Sequence, residues 1–263
     1  MLRKPALSLP FINVDRLLAC GASIFTRLKQ PLGCWIGGIV ACCTMRHRTL
    51  ILPLLLCIGL SGAARACDTA LMLAIDVSNS VDEAEYRLQV DGLADALEDP
   101  DIIEAMVQGQ VAIAVMQWSG AERQVLTTPW TRITAPADVA ALSLDARLTQ
   151  RQIRLSDTAP AEAIRFALLQ FAEVTDCARH IIDVSGDGTP NAGSEVAVAR
   201  NEAERQGVTI NGIAIESLGV AISGFFGRSL ITRDGFVITA RGHREYPGAI
   251  RRKILRELSR VMG

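Results

Sequence analysis

The sequence predicts one α/β domain over residues 67–263, a doubly wound and mostly parallel sheet flanked by helices. Three observations predict it. Unbroken apolar runs of strand length recur, segments of helical period separate them, and Asp-, Ser- and Gly-rich turns follow two of the runs. Ala70–Ile75 is the first run, apolar throughout, as a strand buried on both faces requires. Val81–Leu97 follows with apolar spacing near 3.6, and Ser80-Val81-Asp82-Glu83 has the form of a capping box at its start. Gln110–Trp118 is the second strand. Arg123–Pro129 is the third, more polar, as suits a sheet edge. Helices are expected over Ala137–Leu148 and Pro160–Val174, then a buried strand over His180–Val184 and a turn through Ser185–Asn191. Glu195–Gln206 is helical, Val208–Ile215 and Gly235–Ala240 are strands, and Pro247–Val261 is a basic amphipathic helix. Residues 216–234, with Gly219, Gly224 and Gly227, carry no clear period.

Composition agrees with a folded body and a different head. Apolar residues are 49% and charged ones 21%, which excludes a disordered or collagen-like chain; aromatics are only 5%, so the core is aliphatic. The net charge of -1 hides two unlike parts. Residues 1–66 hold eight Lys/Arg and the single acid Asp15, whereas the remaining 197 residues hold 19 basic and 27 acidic side chains.

The head reads as a targeting segment. Met45-Arg46-His47-Arg48 is a basic start, Leu50–Leu60 an apolar centre, and Ala64-Arg65-Ala66 a small-residue cleavage site. The uncharged stretch Thr49–Ala64 is 16 residues, short for a spanning helix. The expectation is a signal peptide over 45–66, with 1–44 a mis-set start or leader extension; the rival is an uncleaved leader that anchors the protein to a membrane. The protein is then exported, periplasmic or secreted. Five of seven cysteines lie in the head, and only Cys67 and Cys177 remain in the body. An even pair in an exported chain suggests a disulfide, against two inert buried thiols.

The chemistry-bearing residues sit at strand ends, where open α/β sheets bind ligands. The first strand runs into Asp76-Val77-Ser78-Asn79-Ser80, one carboxylate and two hydroxyls at i, i+2 and i+4. The fourth runs into Ser185-Gly186-Asp187-Gly188, and the loop Leu155–Pro160 offers Thr158. An oxygen-only donor set of this kind suits Mg²⁺, or Mn²⁺.

These residues resemble the metal-ion-dependent adhesion site (MIDAS) of von Willebrand factor type A domains. Asp76-x-Ser78-x-Ser80 matches its first loop, Thr158 its threonine loop, and Asp187-Gly188 its second aspartate. The chain is most similar to a bacterial family of exported type A-like proteins of unassigned function. The matching segments are Asp76-Val77-Ser78, Glu85-Tyr86, Gln117-Trp118-Ser119, Asp183–Gly188, Asn191-Ala192-Gly193 and Arg251-Arg252-Lys253. The resemblance implies strand order 3-2-1-4-5-6 with strand 3 an antiparallel edge. It implies that Ser78, Ser80 and Thr158 ligate the metal directly, with Asp76 and Asp187 direct or through water. Asp157 stands where related domains carry Gly or Ser, and is a candidate extra ligand. In such a fold strands 1 and 4 are parallel neighbours, so Cys67 and Cys177, nine and ten residues before Asp76 and Asp187, meet at the opposite edge within disulfide reach.

The implied function is a protein-binding module in which a metal captures an Asp or Glu of a partner. The alternatives are a Mg²⁺-dependent hydrolase or phosphatase, and a structural domain with an inactive metal site. Phosphoryl chemistry generally needs a cationic clamp, yet Lys253 is the one lysine after residue 66; no G-x-S-x-G, phosphate-loop or His-rich zinc spacing is present. Other expectations are bland. Asp183 is a satisfied structural carboxylate, Ser80 is a competing helix cap, and Trp118 and Trp130 pack near the top of the sheet. His180 and His243 are not catalytic. Arg251, Arg252, Lys253, Arg256 and Arg260 form a solvated helix face, and the acidic body argues against nucleic-acid binding.

Overall fold

A computed structural model describes residues 67–154, 156–216 and 221–259. The expected leader extension over 1–44 and the expected signal peptide over 45–66 lie outside the described residues, as do Leu155 and Arg260. Six strands, β1 (Thr69–Asp76), β2 (Ala112–Trp118), β3 (Gln124–Arg132), β4 (Arg179–Gly186), β5 (Val208–Ile215) and β6 (Val237–Ala240), form one sheet. Their order is β3-β2-β1-β4-β5-β6, as expected, and β3 alone runs antiparallel. The helices are α1 (Glu83–Leu97), α2 (Pro100–Gln108), α3 (Pro136–Leu148), α4 (Pro160–Gln170), α5 (Val196–Arg205), α6 (Ala221–Phe225) and α7 (Tyr246–Ser259). Among the described residues none is long and apolar enough to cross a membrane.

All eight residues of β1 are buried. Its side chains alternate between two cores, as a period of two demands. Leu71, Leu73 and Ile75 pack with α1 and α7 residues such as Leu93, Leu97, Ile250 and Ile254. Ala70, Met72 and Ala74 face the other way, onto Ile164 and Ala167 of α4 and Ala199 and Ala203 of α5. One core is filled by branched aliphatics, each worth about 1.5–3 kcal/mol on full burial. In the other, small side chains on both partners let helix and sheet approach closely. Neither core needs many aromatics, in keeping with the composition.

The structure corrects several expectations. α1 starts at Glu83 and is capped by Asp82, whose carboxylate accepts from Glu85 N while Glu85 accepts from Asp82 N. The capping box is therefore Asp82/Glu85, two residues beyond Ser80/Glu83, and the Ser80 hydroxyl is left for another partner. α2 had no sequence counterpart. It is set by Asp99, which accepts from the amides of Asp101 and Ile102, and by Pro100 in the first turn, where a missing N–H costs nothing. Trp130 lies near Thr131, which pairs with Ile113 early in β2, so it packs on Phe171 toward the amino-terminal end of the sheet rather than the top. Trp118 does lie at the top, its indole N–H donating to Ala74 O.

The largest correction concerns α7. Arg251, Arg252 and Arg256 are exposed, but Lys253 is fully buried. Its ammonium lies 2.6 Å from Asp183 Oδ1 and 2.7 Å from Glu257 Oε1. Asn211 donates to the same Glu257 oxygen. Lys253 and Glu257 occupy the buried stripe formed by Tyr246, Ala249, Ile250, Ile254 and Leu258. Asp183 is thus partnered, and its partner is the lysine expected in solvent.

Cys67 and Cys177 form a disulfide with Cα atoms 4.3 Å apart, closing 110 residues. They precede β1 and β4, whose paired starts (Thr69 with Arg179) bring them together at the edge opposite Asp76.

Candidate metal centre

Parallel pairing of β1 with β4 places Ile75 beside Ser185, so the two chains leave the sheet together at one edge. Asp76 ends β1, and Asp187 follows the last residue of β4. Between Asp76 and the cap of α1 the chain must turn. Ser78 N donates to Asp76 Oδ1 at 2.7 Å, and Val81 N to Ser78 O at 3.1 Å. This Asx-type turn puts the Ser78 and Ser80 hydroxyl oxygens 3.1 Å apart. The Ser80 hydroxyl then donates to Asp187 Oδ1 at 2.6 Å.

Thr158 comes from the connection between α3 and α4. Its amide donates to Asn191 Oδ1 at 2.8 Å, and its carbonyl accepts from Asn191 N at 3.1 Å. A Cβ built on Gly188 would stand 3.6 Å from Thr158 Oγ1 and 4.0 Å from Ser80 Oγ. The threonine loop, the first loop and the second aspartate thus converge around the small residue at 188. Asp157 is exposed, and its carbonyl accepts from Ser119 Oγ at 2.7 Å. Ser119 O in turn accepts from Ala159 N, so Ser119, the residue after β2, brackets Thr158 on both sides.

Asp76 is fully buried, and its Oδ2 has no hydrogen-bond partner. Burial pushes its carboxyl up to about 7, against the Ser78 hydrogen bonds that favour the anion. Gly186, its neighbour on β4, is required here: a Cβ at that position would stand 2.9 Å from Asp76 Oδ2. A buried carboxylate oxygen without a donor costs free energy unless a cation or a proton meets it. Two carboxylates and three hydroxyls, with no nitrogen or sulfur, are the donors a hard divalent cation takes. The residues fit such an ion. Among the described residues no group of three or more His, Cys, Asp and Glu is arranged to hold a metal, so the oxygen-rich set has no competitor of that type.

Sequence reasoning missed much of the frame behind these loops. Buried Gln117, at the end of β2, donates to Tyr86 Oη at 2.8 Å and to Gln150 O at 2.9 Å, and its Oε1 accepts from Gln152 N at 2.7 Å. Asn191 acts as the clamp on Thr158. Glu85-Tyr86, Gln117-Trp118-Ser119 and Asn191-Ala192-Gly193 were visible as motifs, but only the fold shows that they fasten loops. His243 is buried with Nδ1 3.2 Å from Glu85 Oε1. His180 packs edge-on against Phe171.

A family model described as "Protein of unknown function (DUF1194)" matches residues 66–262. The chain belongs to this family. Solved structures share the fold of this DUF1194 domain at low identity. Proximal thread matrix protein 1 from the mussel byssus aligns at TM-score 0.56 and 15% identity, over 72% of this chain and 47% of that one. A von Willebrand factor type A protein from Catenulispora acidiphila gives 0.54 and 15%, over 74% and 43%. The vWF domain of the type V pili tip protein Mfa5 from Porphyromonas gingivalis gives 0.54 and 11%, over 75% and 97%. The chain spans less than half the length of the first two. The mussel protein has also been solved with a zinc-occupied MIDAS motif. No curated protein matches. The fold is that of a von Willebrand factor type A domain.

Proposed function

We propose that this DUF1194 domain is an exported, metal-dependent protein-binding module whose site takes a divalent cation, Mg²⁺ by the hardness of its donors, and through it an Asp or Glu of a partner protein. The observation that carries this reading is the buried, unpartnered Asp76 Oδ2 beside the hydroxyls of Ser78 and Ser80. Ser78, Ser80 and Thr158 would hold the ion, with Asp76 and Asp187 ligating directly or through water, and the exposed Asp157 standing by as an extra donor. Bound there, the cation supplies a Lewis-acidic position for an external carboxylate. The chain's own work is to hold neutral hydroxyls toward it, which leaves positive charge for the partner to neutralise. The zinc-occupied MIDAS motif of the mussel protein supports a divalent ion at such a site.

A binding role is favoured over phosphoryl chemistry by the fate of Lys253. The one lysine after residue 66 is held by Asp183 and Glu257, so among the described residues no lysine is left to clamp a phosphoryl group. Export, with cleavage of 45–66 ahead of Cys67, is supported by the Cys67–Cys177 disulfide, a bond of oxidising compartments. Calorimetric titration tests the metal: Mg²⁺ binds the wild type and binds Asp76→Ala at least tenfold more weakly. Equal affinity would reject the reading. Partner capture that survives chelation would reject the carboxylate bridge.

A further inference from the structure

The connection between α3 and α4 carries Arg151, which is not among the predicted ligands. Its guanidinium donates to four main-chain carbonyls: Nε to Ile153 O at 3.0 Å, Nη1 to Val81 O at 2.7 Å, and Nη2 to Val77 O at 2.8 Å and Ser78 O at 3.0 Å. Three of these carbonyls bracket the stretch that bears Ser78 and Ser80. A carbonyl drawn to a fixed donor sets the plane of its peptide, and with it the direction of the adjoining side chains. A planar fork can reach several acceptors at once, whereas an ammonium on a flexible stem is a point charge.

The clamp is itself fixed. Thr149 O accepts from Tyr86 Oη, Gln150 O accepts from Gln117 Nε2, and Gln152 N donates to Gln117 Oε1. Arg151 therefore projects from a backbone pinned on both sides by Gln117, which is 1% exposed. The two loops also bond directly, Asn79 N donating to Ser156 O at 3.0 Å. With the guanidinium and its backbone both held, the Ser78–Ser80 turn is shaped before any ligand arrives.

We propose that Arg151 is the positioning residue of the metal loop: by gathering the carbonyls of Val77, Ser78 and Val81 it holds the Ser78 and Ser80 hydroxyls in ligating order. This rests on the metal-binding reading of that loop. It assigns Arg151 no contact with the ion or the partner.

The test compares wild type, Arg151→Met and Arg151→Lys by Mg²⁺ calorimetry and by amide hydrogen exchange of the metal-free protein. Loss of a supporting contact of this kind weakens metal affinity about 10–100-fold. Arg151→Met is expected in that range, with Arg151→Lys between it and wild type. The amides of Asn79 and Val81, both hydrogen-bonded here, exchange faster in Arg151→Met while that of Ile213 in β5 does not. A merely structural role would speed all three and leave Mg²⁺ affinity of the folded fraction unchanged. Affinity within twofold of wild type overturns the proposal, whatever the exchange. If Arg151→Met does not fold, Arg151→Lys carries the same comparison, and failure of both to fold overturns it. If wild type binds no Mg²⁺, the metal reading fails by itself. Faster exchange confined to Asn79 and Val81 then keeps the positioning role, and unchanged exchange rejects it.

Discussion

The Ser80 hydroxyl donates to the Asp187 carboxylate at 2.6 Å, although 107 residues separate them. This bond ties the turn after β1 to the turn after β4, while the cap of α1 is Asp82. A ligand that takes both oxygens replaces an interaction already made, so the site is assembled in the metal-free fold.

Ser80→Ala removes that bond at an exposed position. It is expected to cost the metal-free protein about 1 kcal/mol, the scale of one hydrogen bond, and to weaken Mg²⁺ binding as well. Gly186→Ala is expected to do more, because its Cβ would meet Asp76 Oδ2 at 2.9 Å. Urea unfolding with chelator, beside Mg²⁺ titration, separates the two effects. A Gly186→Ala protein with wild-type stability and affinity would contradict the close approach.

Asp76 titrates near 7 in the fold, above its usual 3.8. Between those values the folded chain holds a proton that the unfolded chain has released. Stability of the metal-free protein should therefore be full below about 4, fall as pH rises toward about 7, and level off above it. Asp183, raised by burial against the pull of Lys253, acts in the same direction. At about 1.4 kcal/mol per unit, Asp76 alone contributes at most about 4 kcal/mol. Mg²⁺ competes with the same proton, so its affinity should rise with pH across this window. Denaturation in chelator at pH 5 and pH 8 checks it; greater stability at pH 8 is the wrong sign.

The Cys67–Cys177 bond closes 110 residues. Replacing both cysteines by serine is expected to cost about 2–5 kcal/mol, mainly through the freed unfolded chain. Metal affinity should stay near wild type, because the bond lies at the edge opposite Asp76. Thiol titration of non-reduced protein should find neither cysteine free.

Lys253→Met leaves Asp183 and Glu257 buried without their cation. The expected loss is about 3–5 kcal/mol, the cost of breaking a buried pair from one side. Adding Asp183→Asn and Glu257→Gln should recover part of it by removing the orphaned charges. Chemical denaturation of the single and triple variants decides, and a single variant as stable as wild type would reject the pairing.

Much of the fold was legible because burial on both faces leaves a plain mark. Ala70–Ile75 has no polar residue, so its apolar run reads as a central strand. α2 was missed although Ile102, Ile103, Met106 and Val107 recur at helical spacing over its nine residues; Asp99 before Pro100 was the further clue. Lys253 was also missed. Arg251-Arg252-Lys253 looks like a solvated run, yet Lys253 falls in register with Ala249, Ile250 and Ile254, with Glu257 four residues on. Charge of opposite sign on a buried stripe was the signal, and Asp183 inside a strand was its counterpart.

The sequence by itself determined the class of the fold, the hydroxyl and carboxylate residues at its strand ends, and the cysteine pair. These depend on spacings of two to four residues and on residue type, which local patterns carry. The tertiary structure alone decided that Lys253 lies against Asp183, and that Arg151 and Asn191 hold the loops bearing Ser78 and Thr158. The Asp183–Lys253, Ser78–Arg151 and Thr158–Asn191 contacts join residues 253 − 183 = 70, 151 − 78 = 73 and 191 − 158 = 33 positions apart. Strand order and register bring them together, and no local spacing encodes that.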